Sequence, residues 1–249
     1  MPSDPGSAGP VAVDIWNWSL DQSFADPAHA DALLSGDERG RAQRFLKDVD
    51  RRRYVVGRAG LRLILSTYLG IDPRGVRFDY NDFGKPELDL ADRGRLHFNL
   101  SHSAGEAMLA VSAHARVGID IEEIRPLQED IASRFFSASE CAVLAALPGG
   151  ERLAGFYRCW TRKEAFVKAH GAGLSVPLER FDVSIEAVEG QRLLRHLDRD
   201  IGLLSEWALL NLDVVDGFSG ALAVCSAGRE VTVHYRRRAA WSANMASMM

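Results

Sequence analysis

The chain has 249 residues, of which 47% are hydrophobic and 26% charged, a balance typical of a globular protein. Its formal net charge of -4 excludes a general nucleic-acid-binding protein. No apolar run approaches the roughly 20 residues of a spanning helix, so we expect no association with a membrane. The three cysteines lack C-x-x-C spacing, which excludes a zinc site and a disulfide framework and indicates the cytoplasm.

The first third of the sequence predicts a tail, a strand and two helices. Residues 1–10 have neither a basic nor an apolar leader region, so we expect a disordered tail rather than a signal peptide. Residues 11–18 alternate as a strand does. An S-x-x-E capping box opens a helix over residues 35–47, and a second helix, capped by its first residue, covers 50–69 and stops at Gly70.

The middle of the chain predicts a small antiparallel sheet. A short strand over residues 76–80 precedes a turn over 81–86, which is rich in Asn, Gly and Pro. His102 lies just past the end of the next strand. Alternating apolar residues predict three consecutive antiparallel strands, at 96–101, 107–112 and 117–123.

The remaining sequence predicts helices and then strands. A helix is expected over residues 128–136, and a second capping box opens another helix at 137–140. A long helix then covers residues 151–170 and stops at Gly171. Further strands are predicted at 181–185, 207–215 and 219–225.

The strand V-G-I-D-I-E-E, residues 117–123, carries paired acids. Because alternate residues of a strand point to opposite faces, its isoleucines can enter a core while Asp120 and Glu122 project together from the other face. Two adjacent carboxylates repel each other, and a hard divalent cation such as Mg2+ is the usual occupant of such a pair. The alternative is an edge strand with a solvated acidic face, which is the commoner origin of a lone D-x-E sequence.

The long helix carries a stripe of residues four apart that begins apolar and ends charged. Phe156, Trp160, Glu164 and Lys168 share this face. A partly buried ion pair between Glu164 and Lys168 would explain the helix alone. Taken with the D-x-E strand, however, the stripe supplies a third acidic ligand and a lysine for phosphate. The two segments together indicate a magnesium and pyrophosphate site.

Four ordered motifs resemble those of one family. They are F-G-K-P at residues 83–86, F-N-L-S-H-S at 98–103, G-I-D-I-E at 118–122 and W-T-R-K-E-A-F-V-K at 160–168. In this order they are similar to the 4'-phosphopantetheinyl transferases of the long, surfactin-synthetase-activating type. The resemblance implies transfer of 4'-phosphopantetheine from coenzyme A to a serine of an acyl or peptidyl carrier protein, with release of adenosine 3',5'-bisphosphate.

The resemblance also implies an α+β fold of two similar halves with antiparallel sheets, related by a pseudo-twofold axis, with the active site between them. A faint sequence echo between residues 108–113 and 222–227 agrees with such a repeat. We therefore expect an N-terminal half over residues 11–113, a C-terminal half with the metal site over 114–228, and a mobile tail over 229–249.

The family's reacting residues map onto the two acidic motifs. By resemblance, Mg2+ or Mn2+ is held by Asp120, Glu122 and Glu164. Glu164 also accepts the serine proton, directly or through a water, while Lys168 binds the phosphate and assists the leaving group.

By resemblance, the nucleotide end of coenzyme A is bound by Arg53, Lys85, Ser101 and His102 as well as Lys168. Without the resemblance, Lys85 would be a solvated turn lysine and His102 a turn residue bonded to backbone. Around Arg53 the sequence departs from the family's pattern, because Glu38 stands where a basic residue is expected.

The resemblance places carrier docking near residues 124–136, where Phe135 and Phe136 could form an apolar anchor or belong to the core. We expect a monomer with no nucleic-acid partner. A metal-dependent nuclease or phosphohydrolase is the alternative enzyme, but the lysine lies on a helix beside its own glutamate. A non-catalytic carrier-binding module is disfavoured because all three acids and Lys168 are present.

Overall fold

The computed structural model describes residues 9–22, 24, 27–81, 84–89, 92, 94–127, 131–171, 173 and 176–236. Most of the tail predicted at the start of the chain therefore lies outside the described residues. Within them, no helix is both long enough and apolar enough to cross a membrane.

The described residues form helices and strands in alternating groups. The helices are α1 (Pro27–Ala32), α2 (Gly36–Ala42), α3 (Asp48–Leu69), α4 (Ala132–Phe135), α5 (Ala138–Ala146) and α6 (Gly149–His170). The strands of the first part are β1 (Val11–Ser19), β2 (Phe78–Tyr80), β3 (Pro86–Leu88), β4 (His97–Ser103) and β5 (Glu106–Ser112). Those of the second part are β6 (Val117–Glu123), β7 (Phe181–Val183), β8 (Leu194–Leu197), β9 (Trp207–Asn211), β10 (Phe218–Cys225) and β11 (Val231–Arg236).

Two larger sheets and two small hairpins result. The strand order is β11-β1-β5-β4 in one sheet and β6-β10-β9 in the other, while β2 pairs with β3 and β7 with β8. All pairs of neighbouring strands are antiparallel except β1 with β11. The predicted α+β class with antiparallel sheets is confirmed.

The chain repeats one topology. Each half runs through a strand, a short helix opened by a capping box, a 22-residue helix, a small hairpin and a larger hairpin. In the first half, β5 lies between β1 and its own hairpin partner β4, giving the order β1-β5-β4. In the second half, β10 lies between β6 and its own hairpin partner β9, giving the order β6-β10-β9. The two segments with similar sequences lie in β5 and β10, which occupy equivalent central positions. The architecture therefore contains two similar halves.

Both long helices end as their sequences predict. Gly70 follows α3 with φ of 69°, and Gly171 follows α6 with φ of 87°. Only glycine adopts this left-handed conformation without steric cost, so each helix stops there. Below α3, a buried cluster includes Leu61, Leu65 and Phe98, and α6 covers a second cluster of its own half.

Two predictions about strand pairing are wrong. Strand β6 does not extend the β4–β5 hairpin, because its backbone pairs with β10. Residues 231–236 of the predicted mobile tail form β11, which pairs in parallel with β1. Val231 is buried there, and its apolar side chain explains why this part of the chain is held in the sheet. Residues 237–249 lie outside the described residues.

Three predicted helix boundaries also change. Helix α2 ends at Ala42 rather than near residue 47, and α3 begins at Asp48, so Asp50 lies inside its first turn and is not the cap. The helix expected over residues 128–136 is confined to the four residues of α4, with 128–130 outside the described chain.

Candidate active site

The two halves meet where β4 runs beside β6 without backbone pairing. Instead, three polar side chains of β4 accept hydrogen bonds from the backbone N–H groups of alternate residues of β6. The pairs are Asn99 with Ile119 at 2.8 Å, Ser101 with Ile121 at 3.4 Å, and Ser103 with Glu123 at 3.1 Å. We call these three side chains the β4 ladder. It fixes the acidic strand of the second half against the first half.

The glycine of the G-I-D-I-E motif brings β6 onto α6. A Cβ atom at Gly118 would overlap the carbonyl oxygen of Ala165 and the backbone nitrogen of Ala169. Any larger residue would push the strand away from the helix. The close approach places Asp120 of the strand beside Lys168 of the helix.

Asp120 is at the centre of the site and is only 2% exposed. Its Oδ1 accepts hydrogen bonds from Ser101 Oγ at 2.9 Å and Lys168 Nζ at 2.5 Å. Its Oδ2 is buried and has no hydrogen-bond partner among the described residues. Because burial disfavours the charged form, the pKa of Asp120 is raised. Burying a carboxylate oxygen without a hydrogen-bond partner costs free energy, so Asp120 Oδ2 is a candidate atom for binding a ligand.

Two further carboxylates face the same place. Burial and the negative charge of Asp120 raise the pKa of Glu122, although Ser103 Oγ donates a hydrogen bond to its Oε2 at 2.7 Å. Burial also raises the pKa of Glu164, and the charges of Asp120 and Glu122 add to the effect. Three mutually repelling carboxylates are a donor set suited to a hard divalent cation. Within the described chain, however, no three acidic, His or Cys side chains already stand in a metal-binding cluster.

Lys168 is the positive charge of the site. Burial alone would lower the pKa of its ammonium group, but the attraction of Asp120, Glu164 and Glu122 raises it. Its Nζ also donates to Ser101 Oγ at 3.1 Å. The side chain remains 28% exposed, so it can meet a ligand from solvent. The sequence left open an ion pair between Glu164 and Lys168 alone. In the structure, Lys168 forms its ion pair with Asp120.

Lys85 and His102 border this centre. Lys85 Nζ donates to the backbone carbonyl of Lys168 at 2.6 Å and to that of Val117 at 3.5 Å, and burial lowers its pKa to about 8. It is therefore not a solvated turn lysine. His102 lies within β4, not beyond it, and is exposed at the surface. The part of its ring that is shielded from water and the positive charge of Lys168 lower the pKa of His102.

Arg53 is engaged by an acid outside this group. Its guanidinium makes a bidentate ion pair with Asp21, through bonds of 2.9 and 2.8 Å. The acid that replaces an expected basic residue, Glu38, is 3% exposed and pairs with Arg58 and Arg62 of α3. The structure thus uses Glu38 to hold two helices together.

The aromatic pair near the predicted docking segment belongs mainly to the core. Phe136 is 4% exposed and stacks on Phe156 with ring centroids 5.2 Å apart. Phe135 contacts the edge of Trp160 at 5.8 Å and is partly buried. An exposed anchor at Phe136 is therefore wrong. Of the same segment, residues 125–127 are exposed.

Sequence reasoning missed Asn99 and Ser103 of the β4 ladder. The signal was present as polar residues at every second position of a strand, N-x-S-x-S, which places them on one face. It also missed Lys163, the lysine directly before Glu164, whose Nζ is buried against Glu140 at 2.8 Å. Glu140 belongs to the capping box of α5, so the ion pair of Lys163 links α6 to the start of α5.

Comparisons with known proteins identify the family of this chain. Residues 116–222 match a family model described as the 4'-phosphopantetheinyl transferase superfamily, and residues 17–114 match one described as 4'-phosphopantetheinyl transferase, N-terminal. The 4'-phosphopantetheinyl transferase HetI of Nostoc sp. is 39% identical over 220 residues, covering 87% of this chain and 89% of HetI. The 4'-phosphopantetheinyl transferase Sfp of Bacillus subtilis is 36% identical over 155 residues, covering 62% of this chain and 67% of Sfp. A phosphopantetheinyl transferase of Thraustochytrium sp. is 28% identical over 203 residues, covering 74% and 70%.

The family matches cover both halves of the chain and define it as a transferase. The chain belongs to the 4'-phosphopantetheinyl transferases. It transfers 4'-phosphopantetheine from coenzyme A to a serine of a carrier protein and releases adenosine 3',5'-bisphosphate. The alternative of a nuclease or phosphohydrolase is set aside by this membership.

Proposed function

We propose that Asp120, Glu122 and Glu164 together hold the divalent cation of this transferase, Mg2+ or Mn2+. The observation that carries the proposal is the buried Oδ2 of Asp120, which has no protein partner in the described chain. The raised pKa values of all three carboxyls support it, because a cation between them would relieve the repulsion. When bound, the cation supplies charge neutralisation for the pyrophosphate of coenzyme A.

The protein's own residues position the reactants and neutralise charge. The attack of a serine oxygen on an anionic phosphorus needs little covalent help, so most of the rate comes from orientation and electrostatic stabilisation. Lys168 is placed to stabilise the phosphate and the leaving group, because its ammonium is held charged by the surrounding acids. Ser101 keeps that ammonium close to Asp120.

Glu164 is proposed as the proton acceptor for the carrier serine. A general base works best when its pKa lies near the working pH, and burial moves the pKa of Glu164 upward in that direction. The residue takes the proton directly or through one water. In this scheme Glu164 both binds the cation and receives the proton.

The nucleotide end of coenzyme A is assigned to Lys85, Ser101, His102 and Arg53 with Lys168. Lys85 contacts the backbone carbonyl of Lys168, and the charge of Lys168 acts on His102, which supports placing the phosphates near these three residues. Arg53 would have to exchange its ion pair with Asp21 for a phosphate oxygen. Lys85 likewise would share its ammonium between two backbone carbonyls and the ligand.

The second substrate is an acyl or peptidyl carrier protein in its apo form. We propose that it docks beside β6, over the exposed residues 125–127, because these follow directly after the acidic strand. The three cysteines form no disulfide within the described chain, which suits the reducing conditions of the cytoplasm. We propose that the enzyme acts there as a monomer.

Intact-mass spectrometry of an apo carrier protein tests the proposal. The carrier is incubated with coenzyme A and this protein in Mg2+, in EDTA, and in EDTA followed by excess Mg2+. We expect the mass gain of one phosphopantetheine only where Mg2+ is free. Equal conversion in EDTA would contradict the metal site, and a carrier Ser→Ala variant serves as the control for modification at the serine.

A further inference from the structure

Ser103, the last residue of β4, has no part in the roles assigned so far. Its Oγ accepts a hydrogen bond from Glu123 N–H at 3.1 Å and donates one to Glu122 Oε2 at 2.7 Å. A serine hydroxyl has one hydrogen to donate, and here the backbone N–H occupies the oxygen as acceptor. The hydrogen is thereby directed to the carboxylate.

Ser101 repeats this arrangement two residues earlier. Its Oγ accepts from Ile121 N–H at 3.4 Å and donates to Asp120 Oδ1 at 2.9 Å. In both cases a β4 serine binds an acid of β6 and the N–H that follows the acid. At Asp120 the result is visible, because Oδ1 is taken and Oδ2 is left without a protein partner.

The end of β4 is itself held in place, so Ser103 is a fixed donor. Ala104 follows with a left-handed φ of 48°, and the next carbonyl, that of Gly105, accepts a hydrogen bond from Leu20 N–H at 2.7 Å. Asp21, which pairs with Arg53, lies directly against Gly105. The turn after Ser103 is therefore anchored to α3 through these contacts.

From this geometry we infer that Ser103 is a positioning residue for Glu122: it holds Oε2 and presents the other carboxylate oxygen to the divalent cation. The inference rests on the proposed function, in which Glu122 binds that cation. Removing a side chain that orients a metal ligand typically lowers the affinity for the metal by about 10- to 100-fold. Ser103 would act through Glu122 without touching the substrate.

Direct measurement of Mn2+ binding tests the inference. Free Mn2+ is followed by electron paramagnetic resonance with the full-length protein and saturating coenzyme A, without carrier, so that no turnover occurs. We expect Ser103→Ala to raise the Kd for Mn2+ by about 10-fold or more. We expect Ser103→Thr, which keeps the hydroxyl, to bind Mn2+ as the wild type does.

Asn99→Ala is the matched control. Asn99 belongs to the same β4 ladder and also accepts a backbone N–H of β6, but it donates to neither acid. We expect this variant to lose thermal stability and to keep its affinity for Mn2+. Equal weakening of Mn2+ binding by Asn99→Ala and Ser103→Ala would show that the ladder is only structural and would overturn the inference.

Asp120→Asn separates failure of this inference from failure of the proposed function. If Asp120→Asn weakens Mn2+ binding and Ser103→Ala does not, the inference about Ser103 is wrong and the metal site stands. If neither variant changes Mn2+ binding, the metal site itself is wrong and the inference falls with it.

Discussion

Glu38 in the first half and Asp120 in the second are equally buried carboxylates with opposite electrostatic outcomes. Burial would raise the pKa of Glu38, but Arg58, Arg62 and the N–H of Ser35 hold it below its usual range. The pKa of Asp120 is raised, because Lys168, Ser101 and the N–H of Ile121 do not compensate for its burial, and Oδ2 has no hydrogen-bond partner in the described chain. The contrast teaches that burial alone does not mark a functional carboxylate. An incomplete set of partners does.

The largest expected effect concerns Asp120. Asp120→Asn keeps the size of the side chain and an acceptor for Ser101, but removes the charge that a cation needs. We expect kcat/KM for carrier modification to fall by about 1000-fold or more, equivalent to about 4 kcal/mol. The thermal melt should change little. Near-normal transfer by this variant would show that Asp120, like Glu38, is a structural carboxylate and not a functional one.

The converse change is Glu38→Gln. It leaves Arg58 and Arg62 without a counter-charge in the interior, and breaking a buried ion pair in this way costs about 3–5 kcal/mol. We expect a large drop in the free energy of unfolding, measured with urea, and unchanged activity per folded molecule. Glu140→Gln is the matched variant in the other half, because it leaves the buried Lys163 without its counter-charge. Lost activity with unchanged stability would assign Glu38 to the active site.

Glu164→Gln tests whether this residue does more than bind the cation. The variant keeps shape and one carbonyl oxygen but loses basicity, so we expect kcat to fall by roughly 100-fold. Excess Mg2+ should not restore the rate once metal binding is saturated, whereas Asp120→Asn should recover in part. Full recovery of Glu164→Gln would show that it is a ligand only.

The smallest expected effect is a gain of stability in Glu122→Gln. The folded protein raises the pKa of Glu122 above its unfolded value, so ionisation of this group favours unfolding. This cost is absent below the unfolded pKa of about 4.3, appears as the pH rises through it, and is complete above the folded pKa. In EDTA at pH 8 we expect Glu122→Gln to have a higher melting temperature than the wild type. Each kcal/mol gained in the free energy of unfolding should raise the melting temperature by about 2–4 °C.

The control for that prediction is the same comparison at pH 4 or below. Toward pH 3 the wild-type carboxyl is protonated in both the folded and the unfolded state, and the Gln side chain carries no charge, so the difference in melting temperature should shrink toward zero. A variant that melts below the wild type at every pH would mean that Glu122 stabilises the fold, as Glu38 does.

The local features of the fold were predictable from sequence. Capping boxes at Ser35 and Ser137 and the stops at Gly70 and Gly171 depend on neighbours within one turn, and all four occur as expected. The choice of partner for β6 and the return of β11 to β1 were not predictable in the same way. Both depend on strands more than 90 residues apart, between which an alternating pattern does not discriminate.

The site was predictable in composition and only partly in contacts. The acids and Lys168 followed from strand and helix periodicity together with the family motifs. The engagement of Arg53 by Asp21 and of Lys85 by two backbone carbonyls was not, because the sequence does not show which partner satisfies a charged side chain. The sequence left open whether Phe136 belongs to the core or to an interface, because adjacent aromatic residues fit both equally well, and the structure places it in the core.

The most direct test of the metal site is anomalous diffraction from crystals grown with Mn2+ and coenzyme A. We predict a manganese peak at about 2 Å from the carboxylate oxygens of Asp120, Glu122 and Glu164, with Asp120 Oδ2 among them. At the same limiting Mn2+ concentration, the peak should be weaker in Asp120→Asn. A manganese ion bound to coenzyme A but to none of these three carboxylates would contradict the claim.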